Sequence, residues 1–393
     1  MGSNGIKDQV AIVSMACTKF GEHWDRSADQ LLVDAVRDCL EPTGLDANDV
    51  DAYWVGTQGS GMAGVTLSRP LGINKPVTRV ENFCATGSES LRNAAYAVAS
   101  GAYDVVLAAG VEKLKDSSYS GLTATWPPSD GTSVDWTAPA SFALLAPAYA
   151  ERYGLDDAQL REVLTHIAWK NHANGAKNPL AQFQRAIPPE TITQAPLVAG
   201  PLGVFDCSGV ADGAAAALVV RAEDVHRFTD SPMFIKALSF VAGDGSGLRA
   251  SGYDFTTFPE VVASAEEAYR QAGVSDPREQ ISFAEVHDCF TPTELVLMED
   301  LGFAQRGGGW RDVLDGAFDL GGRLPVNPDG GLKSFGHPIG ASGLRMLYEC
   351  WLQLRGQADD RQLDDVDLAL TQNLGGQPGD CVSFVSVVGK ELG

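Results

Sequence analysis

The sequence predicts an α/β protein built from two related halves, with a mostly helical region inserted into the first. Short apolar runs typical of buried strands alternate with amphipathic helices in both halves. The segments after Cys84 and His337 share one spacing, with Gly, Leu and Arg at the third, seventh and eighth positions after each. Residues 117–202, between the halves, have a different composition that is rich in Pro, Trp and Tyr.

The first half begins with a helix and a strand. The helix is amphipathic from Leu31, a Gly-Leu break follows at 44–45, and residues 51–57 resemble a strand. A second helix is predicted to begin at Cys84, and the aliphatic run at 104–110 follows it. Short aliphatic runs of this kind fit buried strands that alternate with helices.

The second half repeats this order. Residues 234–241 open it with a strand, and an amphipathic helix ends near Gly273. A strand is predicted within 281–289, a helix is predicted to begin at His337, and the strand at 367–373 follows. The repetition predicts two halves of related topology that pack about a pseudo-twofold axis.

The inserted region carries helical stretches near 141–153 and 157–173, and we expect it to cover an active site. Residues 203–220 then return to strand and turn character, which closes the first half. The predicted domains are residues 1–116 together with 203–232, the insert at 117–202, and the second half at 233–393.

Composition places the chain among ordinary soluble globular proteins. Of its 393 residues, 44% are hydrophobic and 20% are charged. The net charge of −22 argues against binding to nucleic acids or anionic membranes, which needs clustered Lys and Arg. No apolar run approaches the ~20 residues of a spanning helix, and the seven cysteines are dispersed without zinc-type spacing. We therefore expect a reduced, cytoplasmic protein without a metal site.

Cys84 and His337 are candidates for a nucleophile and its base. A thiol at a helix N-terminus feels the positive end of the helix dipole, which lowers its pKa, and free N–H groups there can bind an oxyanion. Pro338 suits a first helical turn and would fix the imidazole at the helix entrance. A buried structural cysteine and a structural turn are the alternatives. The shared spacing favours a thiol and an imidazole that meet at the centre, as acyl transfer requires.

Two further segments are candidates for the same site. His287 and Cys289 alternate by two after a strand, so in an extended segment they point to one side, as a hydrogen-bond donor and a proton-transfer thiol. Alternatively, His287 is structural and Asp288 only caps a helix. The glycine-rich run at 371–379 either brings backbone N–H groups to a thioester oxygen or makes a turn.

Together these segments resemble the active-site loops of the thiolase superfamily, most of all its sterol-carrier-protein type. The matching segments are Asn-Phe-Cys-Ala-Thr-Gly-Ser at 82–88, His-Asp-Cys-Phe at 287–290, Gly-His-Pro at 336–338, Asn-Leu-Gly-Gly at 373–376, and the run at 202–215. Ordinary thiolases have Asn-Glu-Ala-Phe and Cys-x-Gly in place of the second and fourth of these, whereas the sterol-carrier type shares both changes. The resemblance spans nearly the whole chain, and no sterol-carrier lipid-binding domain is expected.

The resemblance implies a thiolase fold and a quaternary structure. The fold has two similar βαβαβαββ halves stacked in five αβαβα layers, with a mostly helical loop domain inserted in the first half. Members of the superfamily are usually dimers or tetramers, so we expect at least a homodimer.

The resemblance also implies a reaction on coenzyme A thioesters, with no permanently bound cofactor. His337 would take the Cys84 proton, and Cys84 would attack an acyl-CoA or 3-oxoacyl-CoA to form an acyl-enzyme. The N–H groups of Cys84 and Gly375 would hold the oxyanion, while His287 and His337 would stabilise an enolate oxygen. Cys289 would move a proton to or from the substrate. We expect a lowered pKa for Cys84 and a near-neutral one for Cys289.

Two alternatives stay open. Some proteins that resemble these thiolases are retro-aldolases that act on CoA-linked steroid side chains with a zinc-ribbon/OB-fold partner. They tend to have tyrosines where this chain keeps His287 and His337, which favours thiolase chemistry here. The chain could also be a non-catalytic subunit that needs an OB-fold partner to complete its CoA site. Acyl-chain length and reaction direction are open as well. The basic residues considered for the CoA phosphates are Arg69, Lys75, Lys113, Lys115 and Lys333.

Overall fold

The computed structural model describes residues 5–116, 123–124, 136–249 and 252–393. The strands are β1 (Val10–Cys17), β2 (Ala52–Gly56), β3 (Val77–Val80), β4 (Val105–Glu112), β5 (Thr123–Ala124), β6 (Trp136–Thr137), β7 (Leu197–Ala199), β8 (Leu202–Gly203), β9 (Gly213–Arg221), β10 (Met233–Ala242), β11 (Phe283–Glu285), β12 (Leu368–Gln377) and β13 (Asp380–Gly389). Short 3-10 helices lie at Glu41–Thr43, Val204–Asp206, Ala222–Arg227 and Asp359–Arg361.

The α-helices are α1 (Ala28–Leu40), α2 (Val65–Leu71), α3 (Thr86–Ala99), α4 (Ala138–Ala143), α5 (Leu145–Tyr153), α6 (Asp157–Gly175), α7 (Pro189–Thr193), α8 (Ser246–Arg249), α9 (Pro259–Ala272), α10 (Pro277–Gln280), α11 (Thr291–Asp300), α12 (Gly309–Leu314), α13 (Gly331–Phe335) and α14 (Ser342–Leu354). None of the helices in these described ranges is long and apolar enough to cross a lipid bilayer.

A nine-stranded sheet joins the two halves, in the order β11-β12-β13-β10-β1-β9-β4-β2-β3. The first strands of the two halves, β1 and β10, pair antiparallel where the halves meet. Moving outward, each half continues with two antiparallel pairings and then a parallel one. A further parallel strand, β3, ends the first half, and only a bridge between Ala284 and Val326 takes its place in the second. The two halves therefore share one topology.

Helices α3 and α14 lie side by side between the two parts of the sheet. Leu91 of α3 and Leu344 of α14 share one apolar core with inward-facing strand residues such as Val106. The next residue along that strand, Leu107, faces the opposite side and packs in the core that contains α1. On the other side of the molecule, Val261 of α9 packs in the core that covers the second half. Successive strand residues point to opposite faces, and this alternation produces five layers in the order α, β, α, β, α.

The shared glycine of the two central segments is explained by how closely the segments approach. A Cβ added to Gly87 would lie 2.9 Å from the carbonyl oxygen of Gly340 and 3.1 Å from the backbone nitrogen of Gly343. Real Cβ atoms essentially never show the first of these distances, and the second is tighter than most real Cβ contacts. Glycine at this position therefore lets the first helix and the approach to the second pack against each other at the centre of the molecule.

Several local predictions need correction. Strand β1 lies outside the predicted elements, although seven of its eight residues are apolar and all but the last are buried. Strand β11 spans only three residues of the predicted 281–289. The run at 371–379 is mostly strand, because β12 continues through Gln377 and the turn involves only the residues that follow. The helices predicted near 141–153 and 157–173 are present as α5 and α6. The domain boundaries stay predictions.

Candidate active site

Cys84 lies in a tight turn between β3 and α3. The preceding Phe83 has a φ of 50°, in the left-handed region that non-glycine residues rarely adopt. Gly375 packs against this turn so closely that an added Cβ would lie 2.6 Å from the carbonyl oxygen of Asn82. Helix α3 begins at Thr86, so the prediction that Cys84 opens the helix is wrong by two residues. The half-buried thiol instead sits just before the N-terminal turn.

His337 lies in the loop between α13 and α14. Helix α14 begins at Ser342, so His337 does not open it and Pro338 is not in its first turn. The imidazole is held instead by a hydrogen bond, because its Nδ1 lies 2.7 Å from the Ser342 hydroxyl. The backbone N–H of His337 donates to the carbonyl of Gly209 at 2.8 Å. These bonds fix the ring without the helix turn that was predicted.

His287 is buried just beyond the end of β11 and faces His337. Its Nδ1 lies 3.0 Å from the side-chain nitrogen of Asn373. The two imidazole rings meet edge to face, with their centroids 5.4 Å apart. One ring nitrogen from each histidine and the sulfur of Cys84 all lie within 4.8 Å of one another. The structure thus brings together three side chains that are far apart in the sequence. A thiol and two imidazoles are also ligand types that zinc accepts.

A cavity of about 100 Å³ opens beside these three groups. Its lining residues are Cys84, Leu114, Ala138, Phe142, Ser208, Val210, His287, Cys289, Phe290, His337, Ile339 and Gly376. Ala138 and Phe142 line the cavity from the segment that is predicted to be an insert. The ring centroids of Phe142 and Phe290 lie 5.0 Å apart. By its Trp and Pro content we also expect the segment 117–140 to shape the acyl pocket, and most of that segment lies outside the described residues.

Cys289 and Gly375 occupy different places relative to this cavity. Cys289 lines it and is 6% exposed, with its sulfur 3.7 Å from the Thr293 hydroxyl. Gly375 supports the turn that carries Cys84, whereas its neighbour Gly376 is the residue that lines the cavity. The sequence did not single out Gly376.

The protonation states of the two thiols differ from those expected. Burial, together with the carboxylates of Glu112 and Glu81, raises the pKa of the Cys84 thiol to about 12. Burial also raises the pKa of Cys289 well above its usual value. The predicted lowering at Cys84 and the near-neutral pKa at Cys289 are therefore both wrong, because burial disfavours the charged thiolate.

Both imidazoles are uncharged at neutral pH. Burial and the nearby Arg345 guanidinium lower the pKa of His337 to about 3. Burial, His337 and Arg345 hold the pKa of His287 well below its usual range. The resting site therefore holds a neutral thiol beside neutral imidazoles, so the proton must leave Cys84 during attack on the substrate.

Alkylation of Cys84 by iodoacetamide is expected to accelerate about tenfold per pH unit from about pH 6 to about pH 9, because only the thiolate reacts. A thiol with a pKa of about 12 stays mostly protonated throughout this range. The rate is read by mass spectrometry of the peptide that contains Cys84, with Cys84→Ala protein as the background. A rate that levels off near neutral pH would contradict a raised pKa.

A layer of buried charge lies beneath the site. Arg345 is the arginine that follows His337 in the spacing shared by the two central segments. It pairs with Glu285 at 2.6 Å and with Asp329, and all three side chains are fully buried. Asp288 accepts hydrogen bonds from the backbone N–H groups of Leu332 at 2.6 Å and of the next residue at 3.2 Å. Asp288 therefore does cap a helix, as the alternative interpretation stated. That helix is α13, which comes much later in the sequence.

Glu112 is a buried carboxylate that the sequence did not single out. It accepts hydrogen bonds from the hydroxyls of Thr57 at 3.0 Å and Ser60 at 2.8 Å, and from the N–H of Gly340 at 3.2 Å. It therefore ties a loop of the first half to the segment that carries His337. Glu112 is the one charged residue of the otherwise apolar strand β4, and this feature of the sequence could have identified it as a candidate.

Most of the basic residues considered for CoA phosphates already have partners. Lys113 pairs with Asp212 and Asp116, at 2.8 Å each. Lys333 is buried and donates to the Asp206 carbonyl at 2.8 Å. Lys115 pairs with Glu22 at 2.8 Å and Arg69 with Asp29 at 3.4 Å, whereas Lys75 is half-buried at the end of a loop. Lys113 is a poor phosphate ligand because its charge is buried and paired with carboxylates, and Lys333 is a poor one because its ammonium is buried and already donates to a carbonyl.

A duplicated α/β fold brings a thiol and two imidazoles together beside a cavity, close to where its two central segments meet. The chain belongs to the thiolase family. Residues 10–223 match the model of the thiolase N-terminal domain, and residues 249–386 match that of the thiolase C-terminal domain-like region. The predicted family, fold class and enzymatic nature are confirmed.

Known proteins resemble this chain over almost its whole length. An acetyl-CoA acetyltransferase of Methanothermobacter thermautotrophicus is 35% identical over 385 residues, which cover 94% of this chain and 97% of that protein. Sterol carrier protein 2 of Gallus gallus is 32% identical over 94% of this chain and 70% of its own length. A solved structure described as the Ltp2-ChsH2(DUF35) aldolase has a TM-score of 0.82 and 26% identity, and the match covers 98% of both chains.

Proposed function

We propose that this enzyme is an acyl-CoA C-acyltransferase that cleaves 3-oxoacyl-CoA thiolytically, or runs the reverse Claisen condensation, through an acyl-enzyme on Cys84. The observation that carries the proposal is the approach of the Cys84 sulfur to the ring nitrogens of His287 and His337, within 4.8 Å, beside an apolar cavity. Coenzyme A thioesters are the substrates, and these residues supply the chemistry without a resident cofactor.

The first half-reaction forms the acyl-enzyme. His337 Nε2 takes the proton from the Cys84 thiol while the sulfur attacks the 3-oxo carbon of the substrate. The bond between carbons 2 and 3 then breaks, and its electron pair moves into the enolate of acetyl-CoA. Hydrogen bonds from the two histidines hold the enolate oxygen. Cys289 gives its proton to carbon 2, which releases acetyl-CoA and leaves a thiolate at Cys289.

The second half-reaction returns every group to its starting state. The Cys289 thiolate takes the proton of free CoA, whose sulfur attacks the acyl carbon on Cys84. The bond from Cys84 to that carbon breaks, and the departing sulfur recovers its proton from His337. The products are acyl-CoA and acetyl-CoA. The backbone N–H groups of Cys84 and Gly375 hold the tetrahedral oxyanion, and removal of one such donor typically costs about 10²–10³-fold in rate.

Cys289→Ala is expected to lose about 10²–10⁴-fold in acetoacetyl-CoA thiolysis, the usual range for removing a general acid or base. Its acylation by p-nitrophenyl acetate should stay unchanged, because that leaving group needs no proton. Intact mass spectrometry measures the acylation, and consumption of acetoacetyl-CoA measures the turnover. Cys381→Ala is the matched control, since Cys381 is also buried but does not line the cavity. Equal losses in the two variants, or none in Cys289→Ala, would refute the assigned role.

A second candidate, a retro-aldolase, is favoured by the similarity to the Ltp2-ChsH2(DUF35) aldolase structure. The two reactions differ in their need for free CoA, because thiolysis consumes CoA and aldol cleavage does not. We expect purified protein to turn over acetoacetyl-CoA only when CoA is added, and without CoA to release no more than one acetyl-CoA per Cys84. CoA-independent cleavage of a 3-hydroxyacyl-CoA, without activity on acetoacetyl-CoA, would support the aldolase instead.

We also propose that the enzyme is at least a homodimer in the cytoplasm, acts in lipid metabolism, and could bind a zinc-ribbon/OB-fold partner. The dimer is supported by β3, which ends the sheet, and by nearby exposed apolar side chains, Met62 at 95% and Val65 at 60%. Edge strands with exposed apolar neighbours are common sites of self-association. Light scattering of the purified protein gives its mass in solution, and a monomer would exclude this assembly.

A further inference from the structure

We propose that Ser342 and Asn373 are positioning residues that hold His337 and His287 in opposite tautomers, so that one presents a lone pair and the other an N–H to the reacting atoms. This inference rests on the proposed function for its catalytic meaning. The tautomers themselves can be measured whether or not the enzyme performs that reaction.

Ser342 determines the tautomer of His337. Its hydroxyl donates its single proton to the carbonyl of Pro338 at 3.0 Å. At the same oxygen it contacts Nδ1 of His337 at 2.7 Å, where it can only accept. Nδ1 of His337 therefore carries the proton. Nε2 keeps its lone pair, is buried, and has no hydrogen-bond partner among the described residues. That nitrogen is the one left to take the proton of Cys84.

Asn373 determines the tautomer of His287 in the opposite sense. Its side-chain oxygen accepts the Ser88 hydroxyl at 2.9 Å, which leaves its NH₂ group to face His287. The NH₂ donates to Nδ1 of His287 at 3.0 Å. A neutral imidazole that accepts at Nδ1 must carry its proton on Nε2. Ser88 comes from α3 and Asn373 from β12, so the arrangement joins the two halves.

The consequence is a division of labour between two chemically identical side chains. A lone pair on His337 suits a base, and an N–H on His287 suits a donor to an enolate oxygen. With its tautomer reversed, His287 would turn a lone pair toward that oxygen and repel it. The two rings lie edge to face with their centroids 5.4 Å apart, and a different hydrogen-bonded neighbour at each Nδ1 sets the difference between them.

The direct test is ¹⁵N NMR of the full chain labelled at histidine, in which the two tautomers of neutral imidazole give distinct ring-nitrogen shifts. The chain has six histidines, so His287→Gln and His337→Gln spectra assign the two signals. We expect the proton on Nε2 of His287 and on Nδ1 of His337. The same tautomer for both rings would overturn the proposal.

Asn373→Asp tests causation, because a carboxylate has no N–H and can only accept from Nδ1. The proton of His287 should move to Nδ1, and acetoacetyl-CoA thiolysis should fall about 10²–10³-fold, as for other lost oxyanion donors. Acylation of Cys84 by p-nitrophenyl acetate should persist, which also shows that the variant is folded. An unchanged tautomer with full thiolysis would refute the role of Asn373.

Ser386→Ala is the matched control for Asn373→Asp. It removes a buried hydrogen bond of 2.7 Å to Thr371, which lies on the same strand, β12, as Asn373, and neither residue of this bond lines the cavity. We expect neither the tautomers nor the rate to change. A wild-type enzyme with the expected tautomers but no thiolysis would refute the proposed function and leave this inference standing.

Discussion

Cys84→Ala is expected to abolish acetoacetyl-CoA thiolysis, with kcat reduced by about 10⁴-fold or more, because the acyl-enzyme has no other attachment point. The loss should be larger than that of any other cavity residue, since no neighbouring group can replace the nucleophile. We expect that neither Cys289 nor Cys381 can replace Cys84 as the nucleophile. Cys289 lines the same cavity, but the sulfur that lies within 4.8 Å of the two imidazole nitrogens is that of Cys84, and Cys381 lies outside the cavity lining.

The matched control for this variant is Cys207→Ala. Cys207 is also half-buried, and its sulfur contacts the carbonyl of Gly203 at 3.5 Å instead of lining the cavity. It should retain the wild-type kcat. Thermal unfolding of the two variants should match closely, because both lose one sulfur of similar exposure. Turnover by Cys84→Ala at the wild-type rate would end the acyl-enzyme account.

Arg345→Met is expected to lower the free energy of unfolding by about 3–5 kcal/mol, because removing one member of a buried ionic cluster leaves the others uncompensated. Arg345 is fully buried between Glu285 and Asp329, and its guanidinium also lies 5.2 Å from the centre of the Phe335 ring. Burial and neighbouring carboxylates already raise the pKa of Glu285 well above its usual range. Equilibrium unfolding in urea measures the change.

Arg69→Met provides the comparison at the surface. Arg69 pairs with Asp29 at 3.4 Å, with 72% of its side chain exposed. Loss of an exposed pair should change the free energy of unfolding by no more than about 1 kcal/mol. Similar effects of the two substitutions would show that Arg345 is not the structural centre of the charged layer beneath the histidines.

Most of the fold could be predicted because its strands are short apolar runs between amphipathic helices. The repeated Gly, Leu and Arg correctly paired the two central segments, and Gly87, Leu91 and Leu344 do pack where the halves meet. The helix starts were misplaced because a Gly-His-Pro sequence is equally compatible with a first helical turn and with a loop. The hydrogen bond from His337 to Ser342, five residues along, supports the loop and leaves no mark in the local sequence.

The pKa values and polar contacts of the site residues were harder to predict from the sequence than the identity of those residues. Residue types and spacing identified Cys84, His287 and His337, but the pKa of Cys84 depends on burial and on Glu112, which is distant in the sequence. The contact between Asn373 and His287 joins residues 86 positions apart. Such polar contacts follow from tertiary packing, so local patterns do not reveal them. The same reason explains why Lys333 seemed available for a phosphate although it is buried.

Mass spectrometry of the enzyme after reaction, both intact and digested, shows whether Cys84 carries the acyl group. Purified enzyme is incubated with acetoacetyl-CoA in the absence of free CoA, then digested to locate any modification. We expect a single acetyl group on the peptide that contains Cys84, and we expect added CoA to remove it. An enzyme that turns over while this peptide stays unmodified, or that carries the acetyl group on another residue, would contradict the account.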